Sequence, residues 1–395
     1  MRIKDSLKTK LMNFDYLMFI LVIGLSIFGI LIISSATRIT IGGSTEAFVN
    51  QQLFVASGIV LLLLAAFIDY RFIARFYIIA YSVNMALLIA VHFWGHGIGI
   101  DGNVQRALRI GNLAFGIQPS EFAKVLMILF LAVLIDRYHD KLNHPLFLSM
   151  VLGSIALPVL FIFIQPSLSA AVVVLAVSLI VIFVGGLSFK YILAAFLVIV
   201  PAAYLFILDV TREYPRFVTR FMAQYQIEGR ILPFLSPEYA PPDAVRQTMN
   251  SIRAIGSGQL FGQGLHEGTF NQLNYVPHSH NDFIFAVIGE ELGYAGGIAV
   301  LAVLLLISLK CLFVSVRAKS VTGKLIAAGV GFMIAFQTFI NVGVAIGILP
   351  NTGMVLPFVS YGGSAVWANM VAIGLVINVG MEQPQKTSIF ARAEE

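Results

Sequence analysis

The sequence predicts an all-α, polytopic integral membrane protein with about ten transmembrane helices, and three observations carry that prediction. Only 11% of the 395 residues are charged while 58% are hydrophobic, against roughly 25% charged in an ordinary soluble domain. Apolar runs of about 18 residues or more recur along the whole chain, the length a helix needs to cross roughly 30 Å of hydrocarbon. Basic residues gather in alternate short connections, which selects one orientation in the bilayer. Lipid, and no single globular core, is therefore the solvent for most of the surface.

Taken in order, the first apolar run, 14–35, follows Arg2, Lys4, Lys8 and Lys10 and has no small-residue cleavage site after it, so it is expected to be a retained span and not a signal peptide. Further spans are expected at 51–68, 73–93, 119–136, 146–164, 168–186, 189–208, 283–313, 324–349 and 365–381. With the amino terminus inside, Arg71 and Arg75, Arg137 and Lys141, Lys190, Arg317 with Lys319 and Lys324, and Lys386 with Arg392 all fall on the cytoplasmic side. Both termini are then cytoplasmic, and 209–282 forms a large extracellular loop between the seventh and eighth spans. Its length exempts it from the charge rule. Pro233, Pro237, Pro241 and Pro242 rule out one continuous helix there, while Phe217, Phe221, Tyr225, Phe234 and Tyr239 suit ordered pieces that pack on a surface.

Composition excludes several function classes. One cysteine, Cys311, allows neither a disulfide framework nor a thiolate metal cluster. The net charge of +5 is dispersed among short loops with no basic run, so nucleic acid is not an expected partner. The glycines of Ala254–Gly268 follow no strand and precede no phosphate-loop lysine, which argues against nucleotide binding.

Ionisable groups at the mouths of apolar spans are costly and mark candidate sites. In Gln118-Pro119-Ser120-Glu121-Phe122-Ala123-Lys124, Pro119 suits a first helical turn, Ser120 can cap it, and Glu121 and Lys124 share a face. They form either a self-neutralising i,i+3 pair or the lining of a polar cavity. In Asn271–Gly293, His278, His280 and Asp282 precede a span that holds Glu290 and Glu291 about two turns inside. Asp282 is a candidate general base beside His280; its structural alternative is a simple N-cap. The His-x-His-x-Asp pattern also suits a metal, and the two glutamates suit a buried structural pair as well as catalysis. The uncharged Leu349–Ser364 segment, rich in glycine, proline and hydroxyls, must line a cavity or be buried in protein.

Four of these stretches together resemble the SEDS family (shape, elongation, division and sporulation), which includes RodA, FtsW and SpoVE. They are QPSEFAK at Gln118–Lys124, AIGSGQLFGQG at Ala254–Gly264, Pro277–Gly293, and LPFVSYGGS at Leu356–Ser364. The resemblance runs from the first span to Asn378. It implies a peptidoglycan glycosyltransferase of the bacterial cytoplasmic membrane that polymerises lipid II, releases undecaprenyl pyrophosphate, and works with a class B penicillin-binding protein. The family's essential loop carboxylate falls on Asp282. Glu121 and Lys124 match a polar pair lining the family's cavity, with His280, Ser360, Tyr361, Gly362, Gly363 and Ser364 as further substrate-site candidates. Arg212, Arg216 and Arg220, or a divalent cation such as Mg or Mn, are candidates for the pyrophosphate charge, and no cofactor is otherwise implied.

This chain departs from the family at Ser167, where an aspartate is common, at Arg106-Ala107, where an Arg-Trp pair is common, and at His278, where a carboxylate is common. Gly268-Thr269 and Gln272-Leu273-Asn274 look more like the RodA branch. Two competing readings use the same residues: a lipid II flippase, and a non-catalytic scaffold for a penicillin-binding protein.

Overall fold

The computed structural model describes residues 10–38, 46–97, 105–109, 116–165, 167–210, 227–277 and 279–382. The long helices are α1 (Tyr16–Ala36), α2 (Glu46–Phe67), α3 (Tyr77–Trp94), α4 (Pro119–Arg137), α5 (Pro145–Ile164), α6 (Leu168–Val184), α7 (Phe189–Val210), α8 (Pro242–Ser257), α9 (Ile284–Arg317), α10 (Val321–Ala345) and α11 (Gly363–Met381). Among the described residues, eight of these (α1, α2, α3, α5, α7, α9, α10 and α11) are long and apolar enough to cross a membrane. Helix α6 is one residue short of an 18-residue window at 17 residues, and α4 carries Glu121, Lys124, Asp136 and Arg137 within its span.

Helices α10 and α11 form the centre of the bundle, and small residues let their neighbours approach. A Cβ on Gly374 of α11 would lie 2.4 Å from the Leu62 carbonyl oxygen of α2, so only glycine allows this contact. Helix α4 runs antiparallel to α10: the Asp136 carboxylate at its end accepts from the Thr322 amide and hydroxyl at the start of α10, and Gly329 of α10 meets Ile128. Among its described side chains, helix α7 contributes none that is buried. Between α3 and α4 lies a feature the sequence reading did not contain, a three-stranded antiparallel sheet of β1 (His96–Gly97), β2 (Gln105–Arg109) and β3 (Gly116–Ile117), pairing His96 with Ala107 and Leu108 with Ile117.

The 227–277 segment is a run of short pieces: a π-helical turn at Ile227–Ile231, helices at Leu232–Leu235 and Pro237–Tyr239, then α8 and a turn of helix at Thr269–Gln272. Pro233, Pro237 and Pro242 stand in the first two positions of three of these, where a missing N–H costs nothing. The segment then docks on α9. The span expected over 283–313 is α9, and within it Gly293, with non-helical φ 66° and ψ −167°, separates a short first part from a long second part.

Such a break exposes carbonyls of the first half and N–H groups of the second. The loop Gln259–Gly264 satisfies both ends. Gln263 and Gly264 amides donate to the Glu290 and Glu291 carbonyls at 3.0 Å each, and Tyr294 and Ala295 amides donate to Gln259 and Leu260 carbonyls at 2.9 and 3.0 Å. Two glycines of AIGSGQLFGQG thus serve backbone approach: a Cβ on Gly258 would stand 1.9 Å from the Gly289 carbonyl oxygen, and one on Gly262, whose φ is +83°, 2.1 Å from the Glu291 carbonyl oxygen.

The buried carboxylates just before the break are structural. Glu290 accepts from the Phe270 and Asn271 amides at 2.6 and 3.1 Å. Glu291 accepts from the Ser35 hydroxyl of α1, from Asn271 Nδ2 at 3.2 Å and from the His266 amide at 3.3 Å. They tie α1, the α9 break and the Thr269–Gln272 turn into one unit.

A matched pair of substitutions tests this docking. Gly262→Ala is expected to destabilise by about 3 kcal/mol, combining overpacking with a positive φ. Gly256→Ala, on α8 with nothing within 4 Å of its Cβ position, is expected to be neutral or to stabilise by up to about 1 kcal/mol. Thermal unfolding of the two purified proteins in detergent measures both.

Candidate functional site

Asp282 ends the turn that leads into α9. The helix takes Phe283 as its N-cap residue and has no side-chain cap hydrogen bond, so the alternative role for Asp282 as a simple N-cap is not what the structure shows. Its side chain remains partly exposed.

Three consecutive carbonyls hold the turn. The His280 carbonyl accepts from the Tyr361 amide at 3.0 Å. The Asn281 carbonyl accepts from the Ser360 hydroxyl at 2.7 Å. The Asp282 carbonyl accepts from Asn341 Nδ2 of α10 at 2.9 Å, and the same nitrogen donates to the Met354 carbonyl at 2.6 Å. Ser360 Oγ also accepts from the Leu356 amide at 2.8 Å, which closes the LPFVSYGGS segment on itself. The His280 and Tyr361 rings meet edge to face at 5.8 Å between centroids.

That segment is itself wedged in place. Phe358 adopts φ +65°, a costly conformation for an aromatic residue that persists only when its surroundings over-determine it. A Cβ on Gly29 of α1 would lie 2.7 Å from the Val359 carbonyl oxygen. Gln51 of α2, fully buried, donates to the Ser360 carbonyl and accepts from the Gly362 amide, both at 3.3 Å. Burial raises the Tyr361 phenol above its ordinary value, Glu46 adds to the rise, and a hydrogen bond from Asn50 opposes both. The hydroxyl therefore stays neutral and able to donate.

Glu121 and Lys124 form an ion pair of 2.7 Å, with the lysine side chain 1% exposed. The self-neutralising pair is thus realised, but inside protein and not on a helix surface. Pro119 takes the first turn as expected. Ser120 does not cap it; Gln118 is the N-cap residue, without a side-chain cap bond, and its amide instead donates to Ser364 Oγ at 2.9 Å. The start of α4 is thereby fastened to the end of the same segment that floors Asp282. Counting along the two antiparallel helices from the Ile128–Gly329 contact, Glu121 lies level with Phe336 of α10, and Asn341, which holds Asp282, is about 7.5 Å further along.

One group that the sequence reading left outside the site belongs to it. Gly353, with φ +72°, has the Arg230 Nη2, Asp282 Oδ2 and Arg230 Nη1 atoms at 3.2, 3.2 and 3.3 Å from the position a Cβ would take. Arg230 Nη1 also donates to the Thr352 carbonyl. Asn341 and Gln51 also belong to this frame, and neither carries a charge that would mark it in an apolar span. Buried amides deep in apolar helices were the available clue. Arg212, Arg216, Arg220 and His278 lie outside the described residues. Among the described residues no three His, Cys, Asp or Glu groups converge.

Comparison with known proteins agrees with this architecture along nearly the whole chain. The MrdB peptidoglycan glycosyltransferase of Escherichia coli K12 is 34% identical over 369 residues, covering 93% of each chain. A probable peptidoglycan glycosyltransferase FtsW of Trichlorobacter lovleyi is 32% identical over 378 residues, covering 94% of each. Among solved structures, a peptidoglycan synthase complex described for its coordination of polymerization and crosslinking matches at TM-score 0.73 and 25% identity, over 94% of this chain and 99% of that one. The rod shape determining protein RodA of Thermus thermophilus matches in fold at TM-score 0.65 and 23% identity, over 94% of this chain and 98% of that one. The FtsW/RodA/SpoVE family profile, described as a cell cycle protein, matches residues 15–385, and the chain belongs to that family.

Proposed function

We propose that this chain polymerises lipid II into glycan strands, with Asp282 as the general base. It is a multi-pass membrane enzyme and a peptidoglycan glycosyltransferase. The observation that carries the proposed base is the seat of Asp282: a partly exposed carboxylate on a turn whose three carbonyls are each pinned, at the edge of low dielectric. A base must be held within hydrogen-bond reach of the proton it removes, and geometry comes before pKa in choosing it.

In the proposed reaction the Asp282 carboxylate accepts the proton of the acceptor 4-hydroxyl. The hydroxyl oxygen attacks the anomeric carbon of the donor sugar, and the bond to undecaprenyl pyrophosphate breaks with its electron pair leaving on the phosphate oxygen. Charge on that leaving group needs a cation close by. Lys124 has two N–H donors beyond the one given to Glu121, and Arg212, Arg216 and Arg220 remain candidates.

The topology that suits this chemistry counts α4 and α6 with the eight long apolar helices, which gives ten crossings. An even number puts both termini on one side, the cytoplasm by the charge rule. The 209–282 segment and Asp282 then face outside, where acceptor strands lie. A class B penicillin-binding protein is the proposed partner, in keeping with the solved synthase complex that the fold matches.

Two experiments test this. With the full chain and its partner supplied with labelled lipid II, Asp282→Asn is expected to lower polymer formation by about 100-fold or more while the protein stays folded; wild-type polymer from the variant would remove Asp282 as base. For the buried pair, Lys124→Ala alone is expected to cost about 3–5 kcal/mol by stranding Glu121. The double variant Glu121→Leu/Lys124→Met is expected to regain the fold yet polymerise at least about tenfold more slowly. A wild-type rate from that folded double variant would make the pair purely structural.

A further inference from the structure

The hollow over Gly353 is occupied from two sides. Arg230 reaches it from the π-helical turn Ile227–Ile231, and Asp282 reaches it from the turn before α9. The guanidinium nitrogens and the carboxylate oxygen each stand 3.2–3.3 Å from the place of the missing methyl group. A methyl group at 353 would press on both, shifting them by a few tenths of an ångström, and the positive φ there favours glycine for a second reason.

Arg230 is also fixed from behind, since its Nη1 donates to the Thr352 carbonyl. That carbonyl belongs to the residue next to Gly353. The planar fork of a guanidinium can serve a carbonyl and a carboxylate at once with its five donors, which a lysine ammonium cannot do in the same geometry. The backbone anchors of Asp282 fix where its Cα sits, but none of them holds the carboxylate itself. Arg230 is the charged group placed to do that.

We infer that Arg230 is a positioning residue for the polymerisation reaction: seated over Gly353, it fixes the direction of the Asp282 carboxylate so that the acceptor hydroxyl meets an oriented base. This assignment rests on Asp282 being the base. It makes the 227–235 part of the connecting segment a component of the site, joined to the Thr352–Gly353 turn and to Asp282 through one side chain. A carboxylate free to rotate would lose the alignment that proton transfer requires, and misplacement by about 1 Å can cost 100-fold in rate.

The test uses the full chain with its partner and labelled lipid II, measuring kcat and KM for Arg230→Ala, Arg230→Lys, Gly353→Ala and Asp282→Asn side by side. Arg230→Ala is expected to lose about 10- to 100-fold in kcat with KM changed less than about threefold. Arg230→Lys is expected to recover only part of it, and added ethylguanidinium is expected to restore activity to Arg230→Ala but not to Gly353→Ala. Wild-type kcat in Arg230→Ala would overturn the inference, and so would an intact kcat with KM raised more than about tenfold, which would make Arg230 a substrate contact. Should Arg230→Ala fail to fold, Gly353→Ala decides: it keeps both charged residues but crowds them, and full activity there would overturn the inference. An active Asp282→Asn would sink the assignment of the base itself, whereas an inactive Asp282→Asn beside a fully active Arg230→Ala would sink only the role of Arg230.

Discussion

In hydrocarbon a backbone N–H or C=O without a partner costs several kcal/mol, and no water is at hand to supply one. Most of this chain meets that constraint by staying helical. Where it does not, at the Gly293 break and along Leu349–Gly362, hydrogen bonds from other pieces of the protein stand in for helical ones. The Gln259–Gly264 loop takes up two carbonyls and two amides at the break, and the Leu356–Ser364 segment exchanges its bonds with His280, Asn281, Gln51 and Gln118. The turn that ends at Asp282 is one product of that constraint.

The consequence is a site whose rigidity comes from the main chain. Asp282 is located by bonds to three successive carbonyls, and its neighbours Ser360, Tyr361 and Asn341 act through backbone contacts. At Gly29, Gly262 and Gly293 a second backbone comes too close for a Cβ, and at Gly353 two charged side chains crowd its place. The buried carboxylates Glu290 and Glu291 extend the same frame, with their oxygens accepting from the Phe270, Asn271 and His266 amides. Two adjacent acidic residues inside a span read as chemistry in isolation, but here they hold the break together.

The membrane architecture was legible because crossing hydrocarbon demands long apolar runs, and α1 and α11 lie close to where those runs fall. The motifs around Asp282 and at Gln118–Lys124 were legible as polar groups in the wrong solvent. The kink at Gly293 was not, since the apolar run continues straight through it and only the docking of a distant loop explains the glycine. Arg230 was hidden among the arginines of its segment for the same reason: its role depends on Gly353, more than 120 positions away, and no local pattern records that meeting. Ser120 misled because a serine after a proline looks like a cap, whereas tertiary contact gave the anchoring role to the Gln118 amide and Ser364 instead.

The central claim is that a carboxylate fixed by this frame meets the acceptor sugar. The most direct measurement is a structure of the Asp282→Asn variant, with its partner, holding acceptor and donor substrate together. The account requires the acceptor 4-hydroxyl within hydrogen-bond reach of the residue 282 side chain, with the Leu356–Ser364 segment beneath it. An acceptor bound with its hydroxyl directed at another protein group, and residue 282 turned away from the sugar, would contradict it.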